Sequence, residues 1–301
     1  MQVYRLAFKA MGGPAEIQLA ATDEASAHQL ARPAIDEVMR LEAKYSRYRA
    51  DSIISQINAA AGAHPVAVDD ETWSLLAYAD QLYTQSQGLF DISSGVLRRA
   101  WDFRSGRLPT QAEIDAARAL VGWEQVVRDQ RRVYLPRPGM EIDFGGFGKE
   151  YAVDRAAAAL QQQGVQHALV NLSGDARALG PKPDGTPWAM GVQHPRDAAR
   201  LLATVPLHSG ALTTSGDYER YLIHEGQRYC HLLHPHTGWP VGHWQSVSVL
   251  APTALLAGSL SSIAMLMAQP GLTLLQNSGT QYLAVDGDGH VHAGSPSSRQ
   301  N

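Results

Sequence analysis

The sequence has a single cysteine, no excess of positive charge and no long hydrophobic run. Cys230 has no second cysteine to pair with, which excludes an intrachain disulfide and a cysteine-rich zinc or iron–sulfur centre. Lys and Arg number 25 against 29 Asp and Glu, a net charge of −4, whereas general nucleic-acid binders carry a basic excess. We therefore expect no nucleic-acid partner.

Membrane and export signals are also missing from the sequence as it stands. The longest apolar region, Ala254–Ala268, is interrupted by Gly258 and three serines, and no stretch reaches the ~18 apolar residues that a membrane helix needs. The first twenty residues are interspersed with polar ones and contain no continuous apolar core of a secretory signal. These features predict a cytoplasmic protein with no membrane span.

Length and patterning favour one large α+β unit. The 301 residues, at about 150 per domain, suggest two domains or one two-lobed unit. Three- and four-residue apolar spacings predict helices, period-two alternation predicts strands, and Thr110 with Glu113 forms a capping-box signature. The predicted helices are 27–45, 70–87, a short one after Thr110, an alanine-rich one ending at Gly164, and 254–268. The predicted strands include 3–19 with a turn at Met11–Pro14, 126–127, 133–135, 140–144, 167–172 and a hairpin over 281–292. We predict a single two-lobed domain over 1–293 and a disordered tail over 294–301.

The clearest chemical motif is the glycine-rich segment Ile142–Tyr151. A strand-like stretch ends in Asp143, glycines allow a tight turn, and Lys149 begins a helix, an arrangement that directs backbone N–H groups towards an anion. It is not the dinucleotide fingerprint GxGxxG, because Tyr151 occupies the third glycine position. From spacing alone, a simple strand-to-helix connection is the favoured interpretation and a phosphate site is the alternative.

Two further clusters each allow more than one interpretation. Thr213–Tyr221 offers hydroxyls and carboxylates, and is typical of a polar hairpin whose side chains bond their own backbone. His231, His234 and His236 suggest either a metal site or one histidine that moves protons; the intervening Pro235 favours the second.

Taken together and in order, these segments resemble the FAD:protein FMN transferases, the ApbE-like family, from about residue 4 to 290. The matching segments are Met11-Gly12-Gly13, SRYRADSIISQIN (46–58), Gly88–Ile92, IDFGGFGKEYAVD (142–154), VNLSGD (170–175), TSGDYERY (214–221), HLLHPHTGWPV (231–241) and VSVLAPTALLAGSLSSIAML (247–266).

The resemblance implies a two-lobed α+β fold that binds FAD in a cleft between the lobes. It implies that a Ser or Thr hydroxyl of an acceptor protein attacks the FAD pyrophosphate, becomes esterified with FMN and releases AMP. His231 and Asp143 are the implied catalytic residues, and Gly146 and Ser262 the implied Mg²⁺ ligands. The implied FAD contacts are Met11, Tyr48, Leu89, Phe90, Asp91, Asp143, Lys149, Ser215, His231 and Leu233.

Three positions depart from the family pattern. The family's C-terminal helix usually carries Asp and Thr four residues apart as Mg²⁺ ligands, and this chain has Gly258 and Ser262 there. His234 replaces the aspartate before the proline of HxxDP, and Glu150 replaces a glycine. Because Mg²⁺ is a hard cation that favours carboxylates, the loss at position 258 predicts a weakened metal site.

The departure at Gly258 leaves three functions open: the transferase itself, a flavin-binding protein that has lost transfer, and an enzyme that hydrolyses FAD to FMN and AMP. We expect weak or no transfer from the unaltered chain. On the same reasoning, Gly258→Asp should increase transfer by restoring the carboxylate.

Overall fold

A large antiparallel sheet organises the protein. The computed structural model describes residues 1–103 and 106–295. The sheet has the strand order β1-β2-β6-β7-β10-β13-β14-β15. Its strands are β1 Gln2–Ala10, β2 Gly13–Ala21, β6 Ala168–Leu172, β7 Asp175–Leu179, β10 Gly210–Gly216, β13 Trp244–Ala251, β14 Gln281–Asp286 and β15 Val291–Gly294. The smaller sheets comprise β3 Val66–Ala67, β4 Val127–Asp129 and β5 Arg132–Tyr134; β8 Trp188–His194 and β9 Asp197–Leu207; and β11 Tyr221–His224 and β12 Gln227–Cys230.

Most helices of the described chain begin at a side-chain cap. A carboxylate or hydroxyl accepts a backbone N–H at the start of α1, α2, α3, α4 and α6, which satisfies donors that a helix leaves free. The helices are α1 Glu24–Tyr45, α2 Ile53–Ala59, α3 Asp70–Gln85, α4 Gln111–Arg118, α5 Gly148–Gln162, α6 Ala254–Met267 and α7 Pro270–Asn277. The capping box at Thr110 is present as predicted. None of these helices is both long and apolar enough to cross a bilayer.

The two faces of the sheet are covered differently. On one face, α1 packs on β1 and β2, α5 on β6 and β7, and α6 on β10 and β13. The alternate residues Ala168, Val170 and Leu172 of β6 are buried in the core. The opposite residue of the same strand, Leu169, packs with Trp188 of the β8–β9 hairpin. Because successive strand side chains point to opposite faces, β6 is covered on both faces, and Asn171 is its one partly exposed residue. The predicted α+β class is confirmed.

One predicted strand is wrong. Met140, Ile142 and Phe144 alternate as in a strand and are buried, yet this segment has no ladder partner within the described residues. Its backbone bonds instead to a side chain: Asn58 accepts from the Ile142 N–H at 2.7 Å and donates to the Ile142 carbonyl at 3.0 Å. Period-two alternation reports burial of every second residue and does not reveal which group satisfies the backbone.

The C-terminal elements match the prediction apart from one helix. Helix α6 and the β14–β15 hairpin are found where expected, whereas α7, which starts with Pro270 at its first position, was not predicted. Strand β15 extends to Gly294, the first residue of the predicted tail, and residues 296–301 lie outside the described part of the chain.

Helices α5 and α6 are held together by one carboxylate. Asp154 of α5 accepts from the N–H groups of Ala254 and Leu255, both at 2.9 Å, and pairs with Arg177 of β7 at 2.7 Å. The first turn of α6 is thus anchored to the middle of α5, and both are anchored to the sheet.

We expect Asp154→Ala to lower the free energy of unfolding by about 2–4 kcal/mol, because it removes two helix-start hydrogen bonds and leaves Arg177 without its partner. Urea unfolding followed by circular dichroism measures this. Asp51→Ala is the matched control: it removes a carboxylate whose pairing with Arg49 is exposed, and the midpoint should barely change. Equal shifts in both variants would contradict this assignment.

Candidate active site

The glycine-rich turn is fixed from both sides. Ile142 is clamped by Asn58, and the Asp143 N–H donates to the Ile92 carbonyl at 2.9 Å. The turn that follows exposes Gly145 and Gly146 before α5 begins. Unlike the capped helices, α5 has no side-chain hydrogen bond at its N-terminal residue, Phe147. The backbone of this turn is therefore held rigidly and faces outward.

Gly146 is required by the close approach of Phe90. A Cβ at Gly146 would lie 2.8 Å from the Phe90 Cζ atom. Phe90 is buried and packs against Phe147 with ring centroids 6.3 Å apart, while Leu89 beside it is half-buried. Phe90 therefore packs against the turn and leaves no room for a side chain at position 146. Through this contact it would help to line a binding site.

Asp143 belongs to a charged cluster that the sequence analysis identified only in part. Its carboxylate pairs with the Arg47 guanidinium and accepts from the Gly145 N–H at 3.0 Å. Arg47 also donates to the Tyr48 hydroxyl at 2.8 Å and lies over the Tyr48 ring, 4.9 Å from its centroid. That hydrogen bond lowers the pKa of Tyr48. The ring is 77% exposed and free to stack on a planar group.

Arg47 was missed although it lies inside the matching segment 46–58. A surface arginine next to a tyrosine is too common to single out without knowing that Asp143, 96 residues away, lies beside it. The structure brings Arg47, Tyr48 and Asp143 together in one cluster.

Lys149 lies on the other side of the turn and is already paired. Its ammonium contacts the buried carboxylate of Asp175, the first residue of β7. The other oxygen of Asp175 accepts from the Thr214 N–H of β10 at 3.3 Å. The start of α5 is thereby joined to the ends of two central strands.

Helix α6 contributes small residues and hydroxyls to the same place. The Ser215 hydroxyl of β10 lies 2.8 Å from that of Ser261 and 3.2 Å from that of Ser262. One turn earlier on α6, Gly258 faces the side chain of Glu150 in the first turn of α5. Gly258 therefore lies at the α5–α6 contact, and the predicted ligand Ser262, one turn later, lies against β10.

Glu150 is a buried carboxylate at this contact. The residue is 8% exposed, and its Oε2 atom is buried with no hydrogen-bond partner among the described residues. Burial raises the pKa of the carboxyl, and the nearby charge of Lys149 opposes that rise. Oε1 lies 4.0 Å from the Lys149 Nζ atom.

His231 follows β12 and faces Arg220. The backbone N–H of His231 donates to the Arg220 carbonyl at 2.9 Å, and the ring Nδ1 lies 3.3 Å from the same oxygen. Burial, together with the positive charge of Arg220, lowers the pKa of the imidazole. Leu233, two residues on, pairs with Pro240 and packs in an aromatic cluster around Trp101.

His234, at a position where the resemblance predicts an aspartate, has a local role. Its Nδ1 atom accepts from the His236 N–H at 3.2 Å, the kind of bond that an aspartate carboxylate makes in a turn. Burial lowers the pKa of His234, which keeps the ring neutral and able to accept. This substitution thus preserves the turn, and nothing in these contacts indicates a metal site formed by the three histidines.

Asp91 and Met11, two other predicted FAD contacts, make their contacts within the protein. Asp91 accepts from the N–H and the hydroxyl of Ser93, both at 2.6 Å, and from the Trp123 N–H at 3.3 Å. Burial raises the pKa of Asp91. Met11 lies in the β1–β2 turn with φ 55° and packs against the main core. Direct contact of either residue with a ligand stays a prediction.

The charged residues Glu219 and Arg220 lie close enough to the candidate site to affect the pKa values of its side chains. The charge of Arg220 acts on both Tyr48 and His231, and the charge of Glu219 acts on Lys149. Residues near positions 48, 149, 220 and 231 are far apart in sequence and share one electrostatic environment.

The sequence model of the ApbE family matches residues 11–284. The chain belongs to the ApbE family. A FAD:protein FMN transferase of Klebsiella pneumoniae is 34% identical over 260 residues, which cover 84% of this chain and 79% of that protein. The crystal structure of an ApbE protein from Thermotoga maritima is 32% identical, with a TM-score of 0.88 and 97% of each chain covered. The flavin transferase ApbE from Vibrio cholerae is 26% identical, with a TM-score of 0.86 and 98% of each chain covered. The resemblance inferred from the sequence is confirmed.

A cavity of about 520 Å³ lies elsewhere in this ApbE-family chain. It is lined by residues such as Gln161, Gly180 and Gly210, at the end of α5 opposite the glycine-rich turn. Its charged lining residue, Arg177, is already paired with Asp154. We place the candidate site at the N-terminal end of α5, where the unpaired and charged groups converge.

We expect Gly146→Ala to lower the free energy of unfolding by about 1–3 kcal/mol, because the added Cβ overlaps the Phe90 ring. Gly148→Ala is the matched control: its Cβ would meet Phe144 at 3.4 Å, an ordinary contact, and alanine favours the helix. Urea unfolding of both variants measures the difference, and a Gly146→Ala variant as stable as the control would contradict the packing described here.

Proposed function

We propose that this protein transfers FMN from FAD to a Ser or Thr hydroxyl of an acceptor protein and releases AMP. The observation that carries this proposal is the uncapped start of α5 behind an exposed Gly145–Gly146 turn, flanked by Arg47 and Lys149. Family membership supports the same activity, because relatives with matching segments are named FAD:protein FMN transferases.

The α5 start suits a pyrophosphate. The Phe147 and Gly148 N–H groups are bonded to the Phe144 carbonyl. The positive end of the helix dipole, which no side chain caps, favours an anion at this point. Phosphoryl transfer depends mainly on positioning and on neutralising charge at the phosphate oxygens. Arg47 and Lys149 already lie on either side of the turn, each held by a carboxylate, so their charges are in place before a ligand binds.

The flavin and nucleotide contacts are proposed from the surrounding side chains. The exposed Tyr48 ring would stack on a planar ring system, and Asp143 would accept a hydrogen bond from the nucleotide. Met11, Leu89 and Leu233 would provide apolar edges, and Ser215 a hydroxyl beside α6.

His231 is proposed as the general base. Its lowered pKa keeps the imidazole neutral at pH 7, so that a ring nitrogen can take the proton of the attacking acceptor hydroxyl. The hydroxyl oxygen forms a bond to the FMN phosphorus, the bond from that phosphorus to the bridging oxygen breaks, and AMP leaves with that oxygen.

A divalent cation fits the donor groups at the start of α5. Mg²⁺ prefers oxygen ligands and usually takes a carboxylate together with phosphates and waters. Ser262 and the Gly146 backbone remain its proposed ligands; Gly258 has no side-chain oxygen, and Glu150 is the carboxylate at this position. When bound, Mg²⁺ would neutralise charge on the pyrophosphate.

Incubation with FAD, Mg²⁺ and an acceptor protein carrying the family's flavinylation sequence tests the function directly. The weak transfer expected from the loss at position 258 is replaced by the opposite expectation, because the Glu150 carboxylate lies at that position. We expect a fluorescent acceptor band on a denaturing gel and one AMP released per FMN transferred. FAD binding without a labelled acceptor would contradict transfer in favour of a flavin-binding protein. Release of both AMP and free FMN would instead indicate hydrolysis.

The role of His231 predicts a pH dependence. Protonation removes the base, so transfer falls as the pH drops through the pKa of His231, which lies below its ordinary value of 6.5. Arg220→Gln removes a positive charge that lowers this pKa, so the acidic limb of the rate profile should move to higher pH. His231→Gln should abolish the limb, and identical limbs in the wild type and Arg220→Gln would contradict the assignment.

A further inference from the structure

We propose that Glu150 supplies the carboxylate ligand of the divalent-cation site, occupying the space that Gly258 leaves open. This inference rests on the proposed function, because the cation would act on the pyrophosphate bound at the start of α5. It assigns to α5 the acidic ligand that was expected on α6.

The Glu150 side chain fills the space next to Gly258. A Cβ built on Gly258 would lie 2.5 Å from the Glu150 Cγ atom and 3.0 Å from both Cδ and Oε1. The Glu150 side chain therefore occupies the volume where any side chain at position 258 would begin. A carboxylate is present at this contact, but it reaches the contact from the opposite helix.

The buried carboxylate of Glu150 is not fully paired. Glu150 is 8% exposed, and its Oε2 atom has no hydrogen-bond partner in the part of the chain that the structure describes. The nearest cation, Lys149, is in direct contact with Asp175. Two carboxylates thus share one ammonium group, which leaves one negative charge uncompensated at a buried position. Burying a carboxylate is costly unless it is paired, protonated or coordinated to a metal, and a cation beside Oε2 would remove that cost.

The nearby residues of α6 and β10 provide hydroxyl oxygens. The hydroxyls of Ser261 and Ser262, on the same face of α6 as Gly258, lie within hydrogen-bond distance of the Ser215 hydroxyl. A phosphate group bound at the uncapped start of α5 would add further oxygens. Oxygen donors with one carboxylate and room for waters are the environment that Mg²⁺ selects.

This arrangement reverses the expectation for Gly258→Asp. In the presence of Glu150, the added side chain overlaps Glu150 and places a second carboxylate in a buried contact. The single substitution should therefore impair metal binding. The carboxylate can be moved to α6 only if Glu150 is shortened at the same time.

Mn²⁺, a paramagnetic substitute for Mg²⁺, gives a readout independent of catalysis. Free Mn²⁺ is measured by electron paramagnetic resonance during titration of the FAD-bound protein, with FAD alone as the blank. All variants carry Asp288→Asn, which disables the exposed group of Asp286, Asp288 and His290 whose ligand atoms lie within 4.8 Å of one another. We expect Glu150→Gln, which keeps the side chain's shape, to weaken Mn²⁺ binding at least about tenfold.

The exchange variant Glu150→Ala/Gly258→Asp places the carboxylate on α6 and removes the overlapping atoms. We expect it to bind Mn²⁺ within about threefold of the parent, and Gly258→Asp alone to bind at least about tenfold more weakly. Glu219→Gln is the matched control, since it removes an exposed negative charge near Lys149 without contacting Gly258, and should leave Mn²⁺ binding within about twofold.

Unchanged Mn²⁺ binding in Glu150→Gln would overturn the proposal, as would a parent protein that binds no Mn²⁺. A folded exchange variant that does not regain binding would also overturn it. FAD affinity, measured by flavin fluorescence in EDTA, separates this inference from the proposed function. A protein that binds FAD and labels an acceptor while Glu150→Gln still binds Mn²⁺ refutes only the inference, whereas a protein that binds no FAD refutes the function.

Discussion

The close approach of α5 to α6 is the constraint on which the site depends. Asp154 holds the first turn of α6 against α5. One turn later on α6 and one turn earlier on α5, the missing side chain of Gly258 admits Glu150. This contact places the start of α5 next to the serines of α6 and the ends of β7 and β10. Any change in the spacing of the two helices would move Lys149 and Glu150 relative to Gly258 and the serines of α6.

The cations around this turn are positioned by carboxylates before a ligand binds. Arg47 is held by Asp143 on one side and Lys149 by Asp175 on the other, and both carboxylates have further backbone hydrogen bonds. Such pairing limits the reorganisation needed when a charged group arrives, which is how preorganised electrostatics favour a reaction. It also limits the net positive charge available to a pyrophosphate. A bound divalent cation would supply the difference.

Local patterns in the sequence were sufficient for five helices and for the strands at both edges of the large sheet, because burial of one face imposes a period that can be read directly. The helices α2 and α7 and the central strands β7, β10 and β13 were not predicted. The same rule failed at Met140–Phe144, where alternate residues are buried but Asn58 replaces a neighbouring strand. The order of motifs revealed the family, yet Arg47 was overlooked because its importance lies in its distance from Asp143. Contacts between distant residues are not encoded in any local period.

The departures at positions 150 and 258 illustrate the same limit more sharply. Considered one at a time, Gly258 predicts the loss of a ligand, and Glu150 is a large side chain where the resemblance predicts a glycine. The structure places them against each other across the α5–α6 contact, so that the space vacated at one position is filled by a carboxylate from the other. A metal site requires an oxygen at a point in space, and it does not matter which helix provides that oxygen. A missing ligand in a sequence is therefore evidence of lost function only when no neighbouring side chain occupies its place.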